Sequence, residues 1–207
     1  MEALIRDALA SDIPHCYEIC LKTGAAGKDA ASFFHDPHLL GQYYVGPYLF
    51  YGADSICLIA EADSLPMGYI VAVSDTTAFS RWMETVWLPP LRRRYPPTYP
   101  LQKTASDYEA SVISLLNRCL TDAAAPAWLA AFPAHLHIDL LPPLQGRGVG
   151  RALMNTLLAQ LEKRGCPGLH LGVAKNNTGA IAFYHKMGFT ELDESKHGFT
   201  MGRKVGA

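Results

Sequence analysis

Three side chains able to do acid–base chemistry stand at alternate positions of one short run: His135, His137 and Asp139. An imidazole titrates close to neutral pH and a carboxylate can take a proton, so the trio has the right types for proton transfer. Leu136, Ile138 and Leu140 fall between them. That alternation predicts a β-strand over residues 135–141 with the polar groups on one face. Polar groups on a buried strand need partners. Three readings stand. The histidines are structural and satisfied by neighbouring backbone, or the face is a catalytic surface beneath an acceptor cleft, or H-x-H-x-D is a metal site. Nothing elsewhere in the sequence completes a recognisable ligand set, so no metal is expected.

Four residues on comes Gln145-Gly146-Arg147-Gly148-Val149-Gly150. Residues 151–165 follow as an amphipathic helix, with Leu153, Met154, Leu157, Leu158 and Leu161 on one stripe and Gly165 at its end. A strand, a glycine-rich turn and a helix together present free N–H groups to an anion. Glycine lets the backbone approach a bulky phosphate. A pyrophosphate, and so a nucleotide-bearing cofactor, is expected here; a turn with no ligand is the plainer reading of the hexapeptide alone. A Walker A loop would need a following Lys-Ser or Lys-Thr, and a Rossmann fingerprint would open a βαβ unit. Neither fits.

The next strand-like run, residues 169–173, leads to Asn176, Asn177 and a segment ending in Gly188-Phe189. The spacing Q-x-x-G-x-G, then Asn177, Ala180, Tyr184, Gly188 and Phe189, resembles the GCN5-related N-acetyltransferase (GNAT) family over about the last third of the chain. Residues 44–48, 134–142 and 168–173 look like the acetyltransferase-like domain C-terminal to eukaryotic O-GlcNAcase and its free-standing bacterial relatives. The resemblance implies an α/β fold (α+β by some schemes): a central mixed, mostly antiparallel sheet flanked by helices. It implies acetyl-CoA as co-substrate and no metal. The backbone at Leu140 and Leu141 would meet the acetyl carbonyl and pantetheine, in a gap where the fourth and fifth strands splay. Gln145, Gly146, Arg147, Gly148, Val149, Gly150 and Arg151 would hold the pyrophosphate. Asn177 and Ala180 would meet the pantetheine arm, and Tyr184 would be the general acid. Asp139 or His137 would accept the amine proton, directly or through water. The implied activity is N-acetylation of a primary amine on a small molecule, a peptide or a lysine side chain. The alternative is a non-catalytic acetyl-CoA-binding or protein-interaction module of the same fold.

The 207 residues are expected to form a single domain, 49% hydrophobic and 18% charged. A net charge of −1 gives no general pull towards nucleic acid or an anionic membrane, and neither is expected as a partner. No apolar run is long enough to span a bilayer, and the N-terminus lacks signal-peptide features. Cys16, Cys20, Cys57, Cys119 and Cys166 are scattered among apolar residues, which reads as reduced core thiols and a cytoplasmic setting.

Before these motifs the pattern reads strand (4–6), helix (from 11 to Gly24), helix (36–44, ending at Gly46-Pro47), strand (56–60), turn (65–68) and strand (69–73). About sixty residues, 74–133, then separate the third strand from the fourth, too many for a structureless loop. Helices are expected over residues 79–87 and 106–121, with a Pro-rich connection over 89–97. That connection carries Arg92, Arg93 and Arg94, read as a solvated face or as a site for an acidic acceptor or a phosphate. Trp82 and Trp87 are expected to tie the insertion to the sheet, or else to line an acceptor pocket. The insertion is expected to cover the acceptor side of the cleft; packing behind the sheet, or a homodimer contact, is the alternative.

Overall fold

The computed structural model describes residues 2–99, 106–121 and 124–206. Its strands are β1 (Leu4–Asp7), β2 (Ser55–Ala62), β3 (Leu65–Val73), β4 (Ala134–Leu140), β5 (Gly168–Ala174), β6 (Thr190–Glu194) and β7 (Gly198–Lys204). They form one mixed, mostly antiparallel sheet in the order β1-β2-β3-β4-β5-β7-β6, with β4 and β5 the parallel neighbours. Its α-helices are α1 (Ile13–Thr23), α2 (Leu39–Tyr44), α3 (Gly46–Phe50), α4 (Thr76–Trp82), α5 (Leu88–Arg94), α6 (Asp107–Asn117), α7 (Val149–Lys163) and α8 (Thr178–Lys186). Among the described residues, no helix is long and apolar enough to cross a membrane.

The sheet divides two cores by the period of two. Ile70, Ala72 and Leu136 face the apolar stripe of α7 (Leu153, Met154 and Leu157). Tyr69, Val71 and Val73 face the other way, into a core with α1, α2, α3 and the insertion. β3 and β4 pair in the register Tyr69↔Asp139, Val71↔His137 and Val73↔His135. The polar face of β4 therefore lies on the α1–α2 side, the side on which the insertion also packs.

Several boundaries differ from expectation for local reasons. The turn between β2 and β3 is Asp63-Ser64, both at positive φ (50° and 63°), and residues 65–68 already belong to the strand. Gly46-Pro47 opens α3 instead of ending a helix, because proline is tolerated in a first turn. The same tolerance overturns the expected connection over 89–97. Pro89 and Pro90 sit in the first turn of α5, and a π-helical turn (Met83–Trp87) joins α4 to α5 without a break. Arg92 to Arg94 therefore end a helix, where basic side chains complement the dipole. The polar strand β6 was not expected; its burial pattern is largely exposed, so it carries no hydrophobic signal.

Candidate active site

β4 and β5 run together through only two pairs, Ala134↔Leu169 and His135↔His170, and then part. A cavity of about 1150 Å³ opens along the gap, lined by Leu136 to Leu140 on one side and Gly172 to Ala174 on the other. The expected splay is present. Leu141 N–H donates to Met67 C=O at 2.9 Å. Alternation along an antiparallel pair then turns the N–H and C=O groups of Ile138 and Leu140 away from β3, into the gap. Gln145 Nε2 donates to the Leu140 carbonyl at 2.8 Å and ties the glycine turn to the strand end.

Gly146 and Gly148 hold φ of 70° and 82°, and a Cβ on either would meet nothing within 4 Å. Gly148 is the left-handed residue at the start of α7, whose N-terminus no side chain caps. Its first N–H groups lack intrahelical acceptors, and the helix dipole adds partial positive charge. Gln145, Gly146, Gly148, Gly150 and Arg151 line the cavity at this end. Arg147 and Val149 do not: they line a separate hollow of about 530 Å³ with Glu2, Ala3 and Ile5. Leu141 does not reach the cavity either, and packs beside the α1–α2 core with its N–H committed to β3.

At the other end the three polar residues of β4 divide by role. His135 is bound on both ring nitrogens, Nδ1 to Thr76 Oγ1 at 2.7 Å and Nε2 to Tyr48 Oη at 2.6 Å. It is structural, held by side chains and not by backbone. His137 and Asp139 line the cavity. Burial pushes the His137 imidazole down to about 4, so it is neutral near pH 7. It stands edge-on to Tyr44 and Tyr48, with ring centroids 5.3 and 5.6 Å away. Burial pushes the Asp139 carboxyl up, and a hydrogen bond donated by Tyr69 pulls it back in part. Among the described residues, no group of three or more His, Cys, Asp or Glu could hold a metal ion.

From the far side, α8 brings Asn177, Ala180 and Tyr184 to the same cavity. Asn177 Oδ1 accepts the Ala180 N–H at 3.2 Å as the helix cap, which leaves its amide N–H groups to meet a ligand. Tyr184 is 8% exposed. Burial, and then the charge of Asp139, raise its phenol, so it stays protonated.

The wall beyond Asp139 carries no signal in the sequence: Cys20 and Thr23 from α1, Gly24 just after it, Tyr44 from α2 and Tyr108 from α6. Tyr108 is the insertion's contribution among the described lining residues, its Oη donating to Gly24 C=O at 2.7 Å. Trp82, Trp87 and Arg92 to Arg94, expected over the acceptor side of the cleft, do not line the cavity, so the expected lid is not formed by them. Trp82 and Trp87 stack on each other at 5.9 Å, Trp87 Nε1 donates to Gln42 C=O of α2 at 2.8 Å and its ring meets Phe50 of α3 at 5.4 Å, and both pack against the core on the Tyr69–Val71–Val73 face of the sheet. Arg92 makes two 2.8 Å bonds to Glu84, and Arg94 pairs with Asp36 at 2.9 Å.

The family model described as the acetyltransferase (GNAT) family matches residues 123–189, the stretch that carries β4, the glycine turn, α7, β5 and α8. A crystal structure described as that of SsHAT is 31% identical, with a TM-score of 0.85, over the full length of both chains. The chain belongs to the GNAT family. Rattus norvegicus O-GlcNAcase is 26% identical over 189 residues, which are 91% of this chain and 20% of that protein. The chain thus spans about a fifth of that curated relative. A phosphinothricin acetyltransferase from Sinorhizobium meliloti, solved with acetyl-CoA, covers 100% of this GNAT chain and 90% of its own at 16% identity and a TM-score of 0.58, a likeness of fold alone.

Proposed function

We propose that the cleft between β4 and β5 binds acetyl-CoA and that the protein transfers its acetyl group to a primary amine. The observation that carries this reading is the end of β4–β5 pairing after His135↔His170, which leaves a strand-wide gap between a glycine turn and Asp139. An extended pantetheine arm with amide groups can fill such a gap as an added strand would. The N–H groups at Gly146, Gly148, Gly150 and Arg151 then hold the pyrophosphate, with Leu140 and Asn177 bonding the arm.

The chemistry follows from the protonation states. The amine must lose a proton as its nitrogen bonds to the acetyl carbon. Asp139 takes that proton, directly or through one water; burial pushes its carboxyl up, towards holding a proton, and pushes the His137 imidazole down to about 4, away from it. His137 stays neutral beside it and orients the amine or the water. The carbon–sulfur bond then breaks, and the Tyr184 hydroxyl donates to the departing sulfur. Burial raises the proton affinity of a thiolate in the same cleft, which narrows its mismatch with a phenol. The five free cysteines fit a cytoplasmic setting, where acetyl-CoA is at hand.

One observation favours the second reading, a non-catalytic module: a similar region lies inside a protein named for O-GlcNAcase activity. Thiol release from acetyl-CoA, followed across a panel of small amines and lysine peptides, separates the two. Acceptor-dependent release supports transfer. Tight binding of acetyl-CoA with no release above the buffer rate, whatever the acceptor, supports the module.

A further inference from the structure

We infer that Tyr69 is a positioning residue for the acetyl transfer, holding the Asp139 carboxylate in place for the amine proton. The inference rests on the reading of Asp139 as the base.

Tyr69 and Asp139 stand directly opposite each other in the β3–β4 register, on the face towards α1. Directly opposed side chains of an antiparallel pair are close enough to interact. The Tyr69 hydroxyl donates to Asp139 Oδ2. Tyr69 is 0% exposed, so its ring and its hydroxyl are fixed by packing. A donor held that rigidly fixes the carboxylate it serves, leaving Oδ1 as the oxygen for a proton from the cleft.

The surroundings make this one bond matter. Cys20 from α1, Tyr108 from α6 and Tyr184 from α8 all feel the Asp139 charge, and burial holds all three in their protonated forms. His137, its neighbour on β4, is neutral, and Tyr44 from α2 is held protonated by burial. Thr23 Oγ1 donates to the Ile19 carbonyl at 2.8 Å, and its hydroxyl also favours the Asp139 carboxylate, less than Tyr69 does. Among the described residues, the cations along the cavity are Lys28, Arg151 and Lys186, on the loop after α1, on α7 and at the end of α8. Tyr69 is therefore the principal hydrogen-bond donor that favours the charged carboxylate against burial.

The test is Tyr69→Phe, which keeps the ring and removes the hydroxyl. kcat/KM for one amine is followed against pH in the wild type, in Tyr69→Phe and in Asp139→Asn. The acidic limb in Tyr69→Phe is expected to move up by about one pH unit, an approximately tenfold loss on the acid side that recovers at alkaline pH, with the KM for acetyl-CoA unchanged. An unmoved limb overturns the inference. Asp139→Asn at wild-type activity overturns the base assignment itself, a separate result. A ¹³C carboxyl titration of Asp139 in both proteins gives the same reading without turnover. Its midpoint rises in Tyr69→Phe if the inference holds, and an unchanged midpoint overturns it.

Discussion

His135 and His170 face each other, ring centroids 5.7 Å apart, at the last residue pair that β4 and β5 share. His170 Nδ1 bonds the Phe132 carbonyl at 2.7 Å, and His135 is held by Thr76 and Tyr48. The two rings mark the point at which the strands part. Both His135 ring nitrogens and His170 Nδ1 are bonded inside the fold, so the point where the strands part is fixed before any ligand enters.

A stability prediction follows. Burial pushes His135, His137 and His170 down, His137 to about 4. The unfolded chain takes up protons near pH 6.5 that the fold refuses. The histidine contribution is therefore level above about pH 7 and falls as the pH drops from 6.5 towards 4, by at most about 1.4 kcal/mol per pH unit for each histidine. Asp139, pushed up, opposes this with a single proton. Urea midpoints for the unliganded protein should decline from pH 7.5 to pH 5; a level midpoint would contradict three buried neutral histidines.

Tyr184→Phe should lower kcat by about 100-fold or more and leave acetyl-CoA affinity within about twofold, because the hydroxyl acts only as sulfur departs. The ring stays packed between Phe183 and Phe189, so the fold should hold. Wild-type turnover at saturating acceptor would reduce Tyr184 to a packing residue.

Arg92 is a brace and not a phosphate site. Besides its two bonds to Glu84, its guanidinium donates to the Leu116 and Arg118 carbonyls at 2.8 and 2.9 Å, joining the helical stretch from α4 through α5 to the end of α6. Arg92→Ala should cost about 2–3 kcal/mol of stability. The KM for acetyl-CoA should not change. A raised KM with an unaltered melting temperature would restore the phosphate reading.

The motifs were legible because their chemistry is local. The glycine turn needs positive φ at Gly146 and Gly148, and the α7 stripe repeats at helical spacing, so residues 135–189 could be read in sequence order. Tyr69 was legible as a strand residue but not as the partner of Asp139, because 69 intervening residues hide the register that pairs them. Tyr108 and Tyr44 were hidden for the same reason: each reaches the cavity through helix packing, which leaves no signature in spacing. The split between His135 and His137 was beyond sequence too. The two share a strand face, and only Thr76 and Tyr48 tell them apart.

The central claim is that the cleft holds acetyl-CoA with its pyrophosphate at the glycine turn. Calorimetric titration of acetyl-CoA into the wild type and Gly148→Glu tests it most directly. A Cβ at Gly148 meets nothing in the fold, so the variant should remain folded, at a cost of about 1–2 kcal/mol for the left-handed backbone. The new carboxylate would compete for the space proposed for the pyrophosphate. The account predicts binding to the wild type and a loss of at least about tenfold in the folded variant. Equal affinity in the two proteins would contradict it.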